Sequence, residues 1–154
     1  MKKLCFLIFQ LLLISSAYGT SMLDGNALTP CFKSEQESFE CIAAVTKKSD
    51  ETLNQAYLQK LQAIKTADET RWWLGSKEQK MRMADNFSHS QRLWLDYRES
   101  YCDTIVAPEE NTHAYVEAQA RCHLNMNQRR IDEMNMLYHP ELDNSQKSSE
   151  KESY

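Results

Sequence analysis

Only three glycines and three prolines punctuate this chain of 154 residues. Tight turns between strands draw heavily on those two residues, so so few of them argue against a fold of many short strands. Helices need little punctuation, and the apolar residues keep helical time. Ile42, Val45, Leu53, Ala56, Tyr57, Leu61 and Ile64 recur at intervals of three and four, the spacing of one buried helical stripe. A second stripe runs from Met83 through Phe87, Trp94 and Tyr101, and a third from Tyr115 through Cys122 and Met126 to Leu137.

The boundaries follow from caps and breakers. Ser34 with Glu37 three residues on has the form of a capping box, which predicts a first helix from about Ser34 to Thr66. Gly75-Ser76 is a stop-and-restart signal, so a second helix follows it and ends near Ile105, before Ala107-Pro108. The third starts beyond the polar loop Pro108–Thr112 and stops at Pro140. Three long helices joined by short loops pack most simply up-down-up, so the expectation is an all-α, three-helix antiparallel bundle. Residues 20–33 read as an irregular lead-in, 34–139 as the helical domain, and 140–154 as a disordered polar tail without apolar period.

The N-terminus points to export. Lys2 and Lys3 precede an apolar run from Leu4 to Ile14, too short to span a bilayer, and Ala17 and Gly19 are small residues at a cleavage position. Residues 1–19 are therefore expected to be a cleaved signal peptide, with the remainder periplasmic or secreted. Cleavage would remove Lys2 and Lys3, so that 18 basic residues become 16 against 22 acidic ones, a net charge of −6. Such a surface disfavours nucleic acid and anionic lipid as partners, and nothing beyond the leader suggests a membrane span.

Cleavage would also remove Cys5 and leave Cys31, Cys41, Cys102 and Cys122, an even number bound for an oxidising compartment. Four cysteines allow three pairings. Cys31 and Cys41 flank the start of the first helix, and Cys102 and Cys122 flank the loop between the second and third, so local pairing is expected. Metal binding is disfavoured: there is no Cys-x-x-Cys pair, and His113 and His123, ten residues apart on one helix, would lie about 15 Å from each other, so His89, His113, His123 and His139 are each expected to be solvated. No nucleophile stands beside a base, and no carboxylate pair suggests catalysis, so neither enzyme activity nor a cofactor is expected.

One stretch departs from simple amphipathic patterning. Gln91, Trp94, Arg98 and Tyr101 share a helical face, which places an amide and a guanidinium among aromatic rings. Buried polar groups must find partners or cost about 1–3 kcal/mol each. Gln91 and Arg98 are accordingly expected to bond groups on the neighbouring helices, such as Asp50 or Glu51, while Trp94 fills the core.

The run Gln91-Arg92-Leu93-Trp94-Leu95-Asp96-Tyr97-Arg98-Glu99-Ser100-Tyr101-Cys102 resembles the Gln-Arg-x-Trp-Leu-x-Tyr-Arg-x-x-x-Cys core of the LprI-like lysozyme-inhibitor family, small helical domains of the bacterial envelope. Asp50, Leu53, Asn54 and Tyr57 are similar to the family's Asp-x-x-Leu-Asn-x-x-Tyr, preceded as there by two cysteines, and Arg129-Arg130 follow Cys122. The resemblance spans residues 31–137 and implies an exported binding protein whose partner is a lysozyme. The distance from Tyr57 to Gln91 is longer than in that pattern, through an insertion that contains Trp72 and Trp73. Adjacent helical residues point about 100° apart, so both rings can hardly enter one core, and Trp72 and Trp73 are candidate partner contacts. The alternative function is an envelope structural or assembly factor that acts through such protein contacts. Peptide mapping of the exported protein without reduction is expected to recover Cys31 linked to Cys41 and Cys102 to Cys122, with no free thiol; a Cys41–Cys102 peptide would refute the pairing.

Overall fold

The structure is a computed structural model that describes residues 21–32, 38–67 and 76–137. The expected signal peptide, the Ser34–Glu37 capping box, Trp72, Trp73, Pro140 and the polar tail lie outside the described residues. Among the described residues there are three α-helices and no strand: α1 (Ser38–Thr66), α2 (Lys77–Val106) and α3 (Tyr115–Met136). α2 begins where the sequence restarts. Ser76 is extended at the N-cap position, and its N–H donates to Gln79 Oε1 at 2.8 Å, which satisfies a backbone group the first turn cannot.

The chain leaves α2 through a short 3-10 turn, Ala107–Glu109, that accommodates Pro108. It then turns at Asn111, whose φ of 66° is a left-handed conformation that asparagine tolerates better than most residues. Side-chain pairs fix the helix directions. Asp50 meets Arg98 and Tyr57 meets Ser88, so α1 and α2 run opposite ways; Cys102 joins Cys122 while Gln91 meets Arg130, so α2 and α3 do too. The result is the antiparallel three-helix bundle that the sequence predicts.

Both disulfides are local. Cys102–Cys122 closes the α2–α3 end with Cα atoms 5.7 Å apart, and both residues are fully buried. Cys31–Cys41 links a 3-10 helix, Thr29–Phe32, to the first turn of α1 with Cα atoms 5.3 Å apart. Each such bridge typically contributes about 2–4 kcal/mol by restricting the unfolded chain.

The main core holds Leu53 and Ile64 of α1, Ala84, Phe87 and Trp94 of α2, and Met126 and Met134 of α3. Residues 21–32, read from the sequence as an irregular lead-in, extend it. Met22 packs into the main core, and Leu28 is completely buried in a second cluster with Cys31, Ile42 and Ala120. α3 grips this segment through its backbone: Asn125 Nδ2 donates to the carbonyls of Met22 and Asp24 at 2.8 and 2.7 Å, and Arg121 donates to that of Gly25. Gly25 has φ of 124°, a conformation costly for any side chain, and it sets the turn that presents those carbonyls. Leu28→Ala is therefore expected to lower stability by about 2–5 kcal/mol, as for a leucine of a helical core. A denaturant midpoint within error of the parent's would show the lead-in to be a passenger.

Candidate functional site

Each stripe carries polar residues in its apolar register, and the fold gathers them into two neighbouring groups, Ser49, Asp50, Arg98 and Asn127 in one and Gln91 with Arg130 in the other. On α1 the spacing from Val45 to Leu53 is bridged by Ser49 and Asp50; on α2 the buried positions include Gln91 and Arg98; on α3 they include Asn127. Arg98 is the hub. Its Nη1 donates to Asp50 Oδ1 and to Asn127 Oδ1, both at 2.7 Å, while Nε and Nη2 donate to Glu99 Oε1 at 3.1 and 2.6 Å. Asn127, fully buried, gives its amide hydrogens to Ser49 Oγ at 3.0 Å and Asp50 Oδ1 at 2.8 Å. One guanidinium and one amide thus tie α1, α2 and α3 together.

A buried ion pair recovers its desolvation cost only with good geometry and satisfied hydrogens. Here the cost falls mainly on the cation: the Arg98 side chain is 9% exposed, while those of Asp50 and Glu99 are 46% and 49% exposed and keep much of their hydration. Two guanidinium groups approach the Trp94 ring, with Arg98 Cζ 5.8 Å and Arg130 Cζ 5.7 Å from its centroid. Cations at that range are attracted to the indole face. Arg130 is held in place by Gln91 Oε1 at 2.9 Å, Ser90 Oγ at 3.1 Å and Glu133 at 2.8 Å. Arg98 meets Asp50, as expected from the sequence, whereas Glu51 is exposed and takes no part.

His123, expected to be solvated, is instead largely buried, because its ring packs beside Glu99 and Arg98 with the side chain 14% exposed; the sequence marked no role for Asn127 and did not distinguish Arg130 from Arg129. The signal for Arg130 was present: Cys122, Met126 and Arg130 stand four apart on one face, while Arg129 is exposed. Asn127 is adjacent to that row and carries no mark in sequence of the arginine it meets.

His123 Nε2 is buried, lies 3.4 Å from Glu99 Oε2, and makes no hydrogen bond. Desolvation by burial pulls its pKa below the ordinary 6.5, helped by the Arg98 charge and opposed by Glu99, Asp50 and Asp103. The ring is therefore neutral at pH 7 in the folded state and protonates more readily once unfolded.

Six of the seven motif residues read from the sequence line one open groove of about 360 Å³ on the α1–α2 seam: Asp50, Leu53, Asn54, Tyr57, Gln91 and Arg98. Trp94 does not line it. The Tyr57 ring stacks on Phe87 with centroids 5.4 Å apart, and its hydroxyl donates to Ser88 Oγ at 3.1 Å, which fixes one end. Among the described residues, no three His, Cys, Asp or Glu side chains converge as metal ligands would, and no helix is long and apolar enough to cross a membrane.

These features define a disulfide-braced helical domain with a polar layer inside an apolar core. The family model of the lysozyme inhibitor LprI matches residues 31–134, about two thirds of the chain, from the first bridging cysteine to the last buried methionine of α3. The protein belongs to the LprI lysozyme-inhibitor family. No curated protein and no solved structure matches it significantly.

Two outcomes follow from the polar layer. Arg98→Ala is expected to cost roughly 2–4 kcal/mol, less than a fully buried pair, because Asp50 and Glu99 can turn to water while Asn127 cannot. Arg98→Met should recover about 1 kcal/mol of that by keeping the stem against Trp94; equal melting temperatures for the two variants would deny the stem any packing role. For His123 the folded pKa is depressed, so the unfolded chain binds more protons and stability rises with pH. Its contribution is complete above about pH 6.5 and is lost as the pH falls through the folded pKa, and His123→Gln should flatten the melting-temperature profile on the acid side of about pH 6.5. An identical acid slope in parent and variant would assign the effect to other groups.

Proposed function

We propose that the protein is an exported inhibitor that binds a lysozyme and blocks its attack on the cell wall, and that it is not itself an enzyme. Membership of the LprI family is the observation that carries this reading. The leader-like residues 1–19 support export, and the two disulfides suit the oxidising compartment in which a cell-wall hydrolase would be met. The excess of acidic residues adds a kinetic advantage: lysozymes are typically basic, and opposite net charges accelerate encounter through long-range attraction.

Inhibition on this reading is by occupancy. The described residues supply a rigid bundle rather than a reactive group, so the partner is held by contacts, and its catalytic cleft is covered or distorted. In a turbidity assay on peptidoglycan, the purified chain lacking residues 1–19 is expected to reduce the rate of egg-white lysozyme in a saturable manner near stoichiometric ratio. Full lytic rates at about tenfold excess over that enzyme, with the bundle intact by circular dichroism, would overturn the reading.

A further inference from the structure

The groove on the α1–α2 seam contains polar groups that the fold has not used. Asp50 accepts both of its hydrogen bonds through Oδ1, which leaves Oδ2 uncommitted on a side chain 46% exposed. Gln91 accepts from Arg130 through Oε1, and its amide hydrogens meet no acceptor among the described residues. The side chains of Asn54 and Arg92 are exposed and bond no described residue. Leu53 and Leu95 provide apolar walls beside them. Uncommitted donors and acceptors thus both line an open seam, as an extended segment with polar backbone and side chains requires, whereas a buried small ligand calls for a deeper enclosure.

Charge selects the kind of segment. Arg98 is already spent on Asp50, Asn127 and Glu99, so an anion entering the groove would find only Arg92. A cation would find Asp50 Oδ2 directly, with Glu51, Asp96 and Glu99 exposed on the same two helices. The geometry points to this groove as the docking site for a loop of a basic protein, which places a lysine or arginine on Asp50 Oδ2 while its backbone runs past Asn54 and Gln91. The internal face of Asp50 organises the bundle and its external face meets the partner. This inference rests on the inhibitor reading and assigns that reading its surface.

The test uses egg-white lysozyme with one variant at an exposed groove position, one isosteric variant of Asp50 whose folding is checked by its melting temperature, and one control outside the groove. Asn54→Arg puts bulk and positive charge in the groove from an exposed position; it should weaken inhibition by about tenfold or more with an unchanged melting temperature. Asp50→Asn keeps the shape and the Oδ1 acceptor but removes the charge, and should reduce the salt dependence of binding as well as its strength. Tyr97→Ala, on the same helix, 53% exposed and outside the groove, should inhibit within about twofold of the parent. If Asn54→Arg and Asp50→Asn, both folded, inhibit as the parent does, the groove is not the surface, and the inhibitor reading survives. Failure of the parent itself to inhibit removes both.

Discussion

The guanidinium of Arg98 is the point on which the rest of the arrangement depends. It reaches a carboxylate on α1, a buried amide on α3 and a carboxylate next to it on α2, so the three helices share one donor group. Apolar side chains at helical spacing would tolerate several relative rotations and shifts of three helices, because hydrophobic contact has no direction. A hydrogen bond does: sliding α1 by one turn would leave Asn127 without Ser49 and Asp50, at a cost of about 1–3 kcal/mol for each buried group left unpaired. The polar layer therefore selects one register among several that the apolar residues alone would allow.

The layer sits between two kinds of stabilisation. Towards the C-terminal ends of α1 and α3, packing is apolar around Ile64, Phe87 and Met134. At the opposite end, where α2 turns into α3, the two disulfides hold Cys102 to Cys122 and the lead-in to α1. A small bundle with a modest core gains from this division: covalent closure supports the end where the lead-in has to be held against α3, and the rings of Trp94, Phe87 and Tyr57 fill the volume beside the polar groups. The lead-in serves the same economy, since Met22 and Leu28 add buried surface that the helices do not provide.

Among the described residues, His123 Nε2 is the one fully buried side-chain nitrogen or oxygen without a hydrogen-bond partner. It faces Glu99 without hydrogen-bonding it, beside the carboxylate that already serves Arg98. Proton uptake there would bring two cations to compete for one carboxylate in a poorly solvated place, which is why burial rather than Glu99 decides the sign of its shift. The bundle is thereby tied to pH by a group outside the motif residues.

The sequence by itself determined the fold class, the order of the helices, their ends to within a residue or two at Thr66 and Val106, and the pairing of the cysteines. Those outcomes are set by local chemistry: helical periodicity, the scarcity of glycine and proline, and cysteines placed on either side of a single turn or loop. It also showed that Gln91 and Arg98 would need partners, because a polar residue in an apolar stripe is visible at once, and it offered Asp50 or Glu51 as candidates, of which the fold uses Asp50 for Arg98. Only the tertiary structure decided that Asn127 and Arg130 complete the layer with His123 buried unbonded beside it, that Met22 and Leu28 are core, and that six of the motif residues from two helices line one groove. Those facts depend on which faces meet across 29 to 103 residues of chain, and a one-dimensional pattern records the face a residue occupies but not the face it meets.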